Sequence, residues 1–204
     1  MADLSSLAPR VKRYVRNAPN LMVLQALSVA ARELYGESES WTETISGSLT
    51  LGEYRVTPAL DAGVEWFKVN WAKIAGREID PGQFDDPAPD ISIIGAPRVY
   101  GSVALDKVHF HPTADGTYAY EVSLFCRPLL DATTVPDGLL RLHSEALTHG
   151  AAAELFSQEG YPWYNEAKVP YHRAEFSAGV QDAGARARHG YVRGNSQVNM
   201  RPMA

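Results

Sequence analysis

One cysteine, Cys126, stands among 204 residues, so no disulfide can close within the chain and nothing points to an oxidising compartment. Long apolar runs are lacking too. The longest nearly apolar stretch, Leu21 to Ala31, is interrupted by Gln25 and Ser28. It is far short of the ~20 residues that a membrane span needs. Met1 to Leu7 has neither the basic start nor the apolar run of a signal peptide. Folding in the cytoplasm is the expectation.

The signatures of common chemistry are missing as well. There is no HExxH, no CxxC, no GxSxG, no GxxxxGK[ST] and no GxGxxG. Cys126 follows Leu124-Phe125 in an apolar stretch and reads as a buried, inert thiol rather than a nucleophile. His109-x-His111 would put two imidazoles on one face of a strand, a spacing that can bind zinc. No third ligand is nominated, so structural or surface histidines are the expected reading and a metal-dependent enzyme built on His109 and His111 is the alternative. His143 and His149 are six apart and do not stack as i, i+4 partners on a helix. No catalytic residue, metal or cofactor is expected.

What is present is an ordinary folded composition, 45% hydrophobic and 21% charged, with a net charge of −5. The charge is unevenly spread. Residues 1–33 and residues 165–204 are each +3, which leaves −11 for the middle. Basic ends around an acidic middle suggest electrostatic orientation toward neighbours. Arg10, Lys12, Arg13 and Arg16 form one basic cluster, and Arg186, Arg188, His189, Tyr191 and Arg193 form another. Such clusters can touch phosphates, but the acidic total and the lack of a helix-turn-helix or RNA-binding signature argue against sequence-specific binding.

Periodicity divides the chain in three. Leu7 to Val15 is a short helix or a basic arm. From about Asn17, with Pro19 in the first turn and Asn17 or Asn20 as cap, apolar residues recur at helical spacing until Gly36, the expected stop. From Trp41 the period becomes two. Strands are expected near Trp41 to Leu51, Tyr54 to Thr57, Val64 to Trp71, Lys73 to Ile79, Val99 to Leu105, Lys107 to His111 and Tyr118 to Arg127. Turns fall at Gly52-Glu53, Ala75-Gly76 and Asp115-Gly116. Val64, Trp66, Lys68 and Asn70 should share one face of their strand. Residues 80–98, rich in Pro and Asp, read as a long acidic loop. After Pro136, with Asp137 as possible cap, a helix carries Leu139, Leu142, Ala146, Leu147 and Gly150 on one face. Gly160 and Pro162 break the chain, and a last helix runs from about Trp163 to Arg188, kinked or divided by Pro170. Gly190 to Ala204 lacks periodicity and reads as an arm that orders on a partner.

The expected fold is therefore α+β. Residues 1–40 and 132–189 form a helical bundle, residues 41–131 an inserted antiparallel β domain of sandwich or barrel-like form, and residues 190–204 an extended arm.

Three stretches together resemble the head–tail connector (adaptor) proteins of tailed bacteriophages. The first is Val15 to Trp41, VRNAPNLMVLQALSVAARELYGESESW. The second is Val135 to Trp163, where Pro136-Asp137-x-Leu139 is followed by His143-x-Glu145-Ala146 and His149-Gly150-Ala151. The third is Tyr164 to Gly190, with Asn165, Ala167, Tyr171, Phe176, Gly179 and the Arg186-x-Arg188 ending. Two positions depart from the family pattern: Pro170 within the last helix, and Tyr35-Gly36 where a cysteine often stands. The resemblance covers both helical flanks. It implies a structural virion protein of the neck, assembled in the host cytoplasm, with copies forming a ring (commonly a dodecamer) between portal and tail or neck proteins. DNA would pass through the lumen without sequence-specific binding. It also implies that the C-terminal arm docks on the portal, through residues such as Tyr191, Arg193, Asn195, Val198, Met200 and Arg201. Subunit contacts are expected from Arg10, Arg13, Arg16, Asp85, Asp86, Asp90, Arg186 and Arg188. Another neck or tail-completion protein is the nearest alternative.

Overall fold

Two periods of apolar residues build two kinds of element, and the computed structural model describes them over residues 1–82, 92–104 and 106–189. The first helix, α1 (Ala8–Tyr14), buries Val11, with Pro9 in its first turn. The second, α2 (Asn20–Ser38), begins at Pro19, whose extended ψ suits a residue just outside a helix. Val23, Leu27, Ala31 and Leu34 are fully buried along it. Gly36 does not stop α2. The helix runs two residues further and ends where Glu39 takes a left-handed φ of 53°. A glycine is an optional stop, and here the helix continues with Gly36 under the Arg127 side chain.

The middle of the chain forms a seven-stranded sheet. Its strands are β2 (Thr42–Leu49), β3 (Arg55–Val56), β4 (Val64–Ile74), β5 (Arg77–Pro81), β6 (Val99–Ala104), β7 (Lys107–His111) and β8 (Tyr118–Pro128). The spatial order is β2-β8-β4-β5-β6-β7-β3. Among the described residues every ladder is antiparallel except β5 with β6, which is parallel, so the expectation of a wholly antiparallel sheet is corrected at that pair. The long connection across residues 82–98 lets β6 enter in the same direction as β5, which a tight turn would forbid. Ala75 and Gly76 both have positive φ, 49° and 76°, as a two-residue hairpin turn requires.

Simple alternation fails along β4. The inward positions are Trp66 opposite Cys126, Val69 opposite Leu124 and Ala72 opposite Val122, three apart rather than two. Register shifts between Trp66 and Lys68 and between Val69 and Trp71 insert an extra residue each time. Lys68 and Asn70 consequently do not follow Trp66 inward. Beneath the sheet lie Leu49, Ala72, Val108, Phe110, Val122 and Leu124, all fully buried.

Two short strands had no visible sequence signal. β1 (Ala2–Asp3) pairs antiparallel with β9 (Thr134–Val135), tying the start of the chain to the lead of the next helix. That helix, α3 (Asp137–Phe156), starts after Pro136, and Asp137 is its first residue rather than its cap. From there Asp137 holds Arg141 one turn on at 2.6 Å. The final helix, α4 (Val169–His189), follows a single 3₁₀ turn at Glu166–Lys168. Pro170 is its second residue, where proline costs no hydrogen bond, so the expected kink is absent and Trp163 lies before the helix.

The fold is thus mixed α+β, with four α-helices and a mostly antiparallel sheet among the described residues. Helix α3 lies against α2 and α4. A Cβ on Gly150 would meet the Phe176 ring at 2.6 Å and Ala30 Cβ at 2.9 Å, so only glycine allows that three-helix approach. Helix α2 is fastened to the end of β8. Ser28 Oγ donates to Ala132 O at 2.6 Å, and Arg32 donates to Pro128 O at 2.9 Å. Glu65 on β4 takes ion pairs from both Arg32 and Arg127, joining helix to sheet.

Candidate functional site

The residues that carry the family-like pattern fall on α3, and most of them point inward. His143, Ala146, Leu147, His149, Gly150 and Ala151 are buried, whereas Glu145 is exposed. His143 sits edge-on to Tyr35 of α2, centroids 6.0 Å apart. Its Nε2 and the Tyr35 hydroxyl are both buried without a hydrogen-bond partner. Burial, with the Arg186 guanidinium nearby, holds the His143 pKa below the ordinary imidazole range. Burial likewise raises the Tyr35 phenol.

His149 faces His172 of α4, Nδ1 to Nδ1 at 3.0 Å. Both rings are at least nine-tenths buried. Two imidazoles can share such a bond only if one Nδ1 carries a proton and donates while the other Nδ1 is bare and accepts. Desolvation, the neighbouring His149 and Lys168 push the His172 pKa down to about 4. Tyr14 of α1 covers both rings, 5.4 Å from His149 and 4.8 Å from His172, and Tyr171 and Phe156 complete the enclosure. The sequence named His149, and Tyr14 only as part of the basic cluster, but not His172. They are brought together by the crossing of α1, α3 and α4, which no local spacing encodes.

Among the predicted contact residues, Arg10 is exposed and donates to Ser144 Oγ of α3 at 3.1 Å. Arg13 and Arg16 are exposed on the same lead. From Leu4 to Arg32 the chain holds five basic residues and no acid, although Arg32 pairs with Glu65 and Arg10 shares a shallow cleft with Asp3 and Asp137. Arg186 is exposed and pairs with Asp182 one turn back at 2.7 Å, and Arg188 donates to Gly184 O of its own helix. These two line a polar cleft of about 640 Å³ with Glu37, Glu39, Thr42 and Asn70, where the end of α4 passes the end of α2 and the start of β2. The structure therefore separates the contact candidates into a basic face at α1 and a mixed-charge cleft at the end of α4. Asp85, Asp86 and Asp90, and the arm residues Tyr191, Arg193, Asn195, Val198, Met200 and Arg201, lie outside the described residues.

His109 and His111 do occupy one strand, β7. His109 is buried beside Tyr54, its Nδ1 lacks a partner, and burial with Arg55 and Lys107 nearby lowers its pKa. Among the described residues no group of three or more His, Cys, Asp or Glu side chains could hold a metal ion. Cys126 is fully buried, with its thiol pushed up to about 12 by that burial. Among the described residues no helix is long and apolar enough to cross a membrane. Compared with known proteins, the chain matches no family model, and no curated protein matches it.

Proposed function

We propose that this chain is a structural virion protein, a subunit of the ring-shaped head–tail connector that joins portal to tail in a tailed bacteriophage. The observation that carries the reading is the use made of the family-like residues on α3. His143, Ala146, His149 and Gly150 meet Tyr35 and Ala30 of α2 and His172 and Phe176 of α4, so the pattern specifies how helices pack. In this reading α2, α3 and α4 are the helical bundle of the subunit and the sheet is an insertion between α2 and α3. Copies of the chain, twelve in the commonest arrangement, form a ring around passing DNA, with portal on one side and tail or neck proteins on the other.

A ring joined head to tail needs two unlike faces on each subunit. The acid-free lead at α1 and the acidic middle of the chain supply opposite charge for such a contact. The segment after α4 is the proposed portal contact. The buried hydrophobic core of the described residues ends at Ala183, and the proposed division of labour leaves the segment after α4 to the partner.

The test is negative-stain imaging of purified portal rings with and without the chain. The expected result is an added layer of density on the portal. Portal rings that stay bare at saturating chain refute the assignment. A chain ending at His189 should melt like the full chain yet add no layer. A melting point well below that of the full chain would refute this separation of fold from attachment.

A further inference from the structure

Strand β2 ends the seven-stranded sheet, and among the described residues no strand pairs with its far side. Just before the strand, Cys126 N donates to Trp41 O. In antiparallel pairing, residues alternate between those whose backbone groups face the neighbouring strand and those whose groups face away. Glu43, Ile45, Gly47 and Leu49 therefore turn their N–H and C=O toward β8, and Thr42, Thr44, Ser46 and Ser48 turn theirs outward. Among the described residues these outward groups have no backbone partner.

Folded proteins blunt an open edge by keeping it short, by bulging it, or by placing lysine or proline on it. The opposite edge of this sheet is short, since β3 has two residues. β2 has none of these devices. It is eight residues long, keeps unbroken register with β8, and contains no proline, lysine or arginine. Thr42, Glu43, Thr44, Ser46, Gly47 and Ser48 are all exposed. Gly47, the weak point of such a strand, is covered by the Tyr120 ring of its β8 partner, which keeps the strand seated.

We propose that the β2 edge docks on the β2 edge of a second copy of this chain, the two strands running antiparallel about Ile45. In that register Thr42 pairs with Ser48 and Thr44 with Ser46. Outward backbone groups meet outward backbone groups, giving about eight new hydrogen bonds across the axis. Hydroxyl side chains lie opposite hydroxyl side chains, a favourable cross-strand pair. The only charge on the strand, Glu43, falls opposite Gly47 of the other copy. The two Glu43 carboxylates are then about 13 Å apart along the strands, beyond the screening length of physiological salt, so they do not oppose the contact. Ile45, half-buried in one copy, meets its own counterpart at the centre. The contact is isologous and carries a two-fold axis, which a cyclic ring of head-to-tail contacts lacks. The dimer is therefore a state of the free chain, and it stands or falls separately from the connector assignment.

The test is the mass of the purified full chain by light scattering across a concentration series, without portal. The expected species has twice the 22.4 kDa chain mass. Ser46→Pro removes an outward N–H and leaves the bonds to β8, and should return the chain to monomer with an unchanged circular-dichroism spectrum. Thr44→Lys is the second variant, placing like charges near the axis, and should do the same. In hydrogen exchange the Thr44 and Ser46 amides should exchange about tenfold or more slowly in the dimer than in the dilute monomer. A wild-type chain monomeric at every concentration overturns the proposal. So does a dimer that persists, still folded, in both variants, because another face then holds it.

Discussion

Acidifying the chain from pH 7 to pH 4 should cost it stability through His172. An ordinary imidazole titrates at 6.5, whereas the buried His172 titrates at about 4 in the native state. Unfolded chains therefore take up a proton below 6.5 that native chains refuse until about 4. The unfolded state binds more protons in that window, so stability falls with pH across it, is complete above it and levels off below it. At about 1.4 kcal/mol per pH unit the full gap is worth about 3 kcal/mol. That is a large share of the ~5–15 kcal/mol typical of a folded domain. The cause is burial first: a charged His172 ring would lose its water between His149, 3.0 Å away, and the Tyr14 ring, with Lys168 adding repulsion. The assay is urea denaturation at half-unit steps of pH for the wild type and for His172→Phe, which keeps an aromatic ring at the site. Carboxylates titrate in both proteins, so the difference between the two curves is the readout. It should open by up to about 3 kcal/mol between pH 6.5 and pH 4. Parallel curves, or a His172 proton resonance that titrates near 6.5, would refute the reasoning.

Gly150→Ala must push the Phe176 ring or the Ala30 methyl aside, and should lower unfolding free energy by about 1–3 kcal/mol, read by denaturant melts. Phe176→Ala empties the opposite side of that crossing and should cost about 3–5 kcal/mol by the same measurement. Ser28→Ala leaves Ala132 O without its buried donor and should cost about 1–3 kcal/mol, while Ser144→Ala on the exposed side of α3 should cost less than about 0.5 kcal/mol. Cys126 should be inert to a thiol reagent at pH 8 in the native chain and react once denatured, since burial keeps its thiol protonated at that pH.

Much of the fold is legible in the residues themselves. Among the described residues β2, β3, β6, β7 and β8 lie close to where alternation and turn residues place them, whereas Lys73 and Ile74 extend β4 and the next strand opens only at Arg77. What escapes notice are features decided by tertiary contact. β1 and β9 are two residues each, too short to carry a period, and exist because Leu4 and Val135 are buried beside them. The bulges in β4 break the alternation that would have located its inward face, and they answer to the β8 residues opposite, Cys126, Leu124 and Val122. Pro170 misleads because proline marks either a helix start or a break, and only the 3₁₀ turn at Glu166–Lys168 decides between them.

The candidate site was legible in a different sense. The pattern on α3 names His143, His149 and Gly150, of which the two histidines are residue types that in a search for chemistry read as ligands or bases. Their surroundings are other helices. His143 faces Tyr35, His149 faces His172, and Gly150 admits Phe176. A pattern that sets helix crossings should respond to mutation in a fixed order, with stability failing first and assembly only as a consequence. A pattern that sets an interface should respond the other way round. His149→Phe and Arg13→Glu separate the two cases. The first change lies inside the α1–α3–α4 crossing and should lower the melting point. On the connector proposal, folded molecules of that variant should still add a layer to portal rings. The second change lies on the exposed positive lead and should leave the melt within about 0.5 kcal/mol of wild type while weakening assembly. If His149→Phe melts like wild type yet fails to assemble, the buried histidines belong to the interface and the division between crossing and surface collapses.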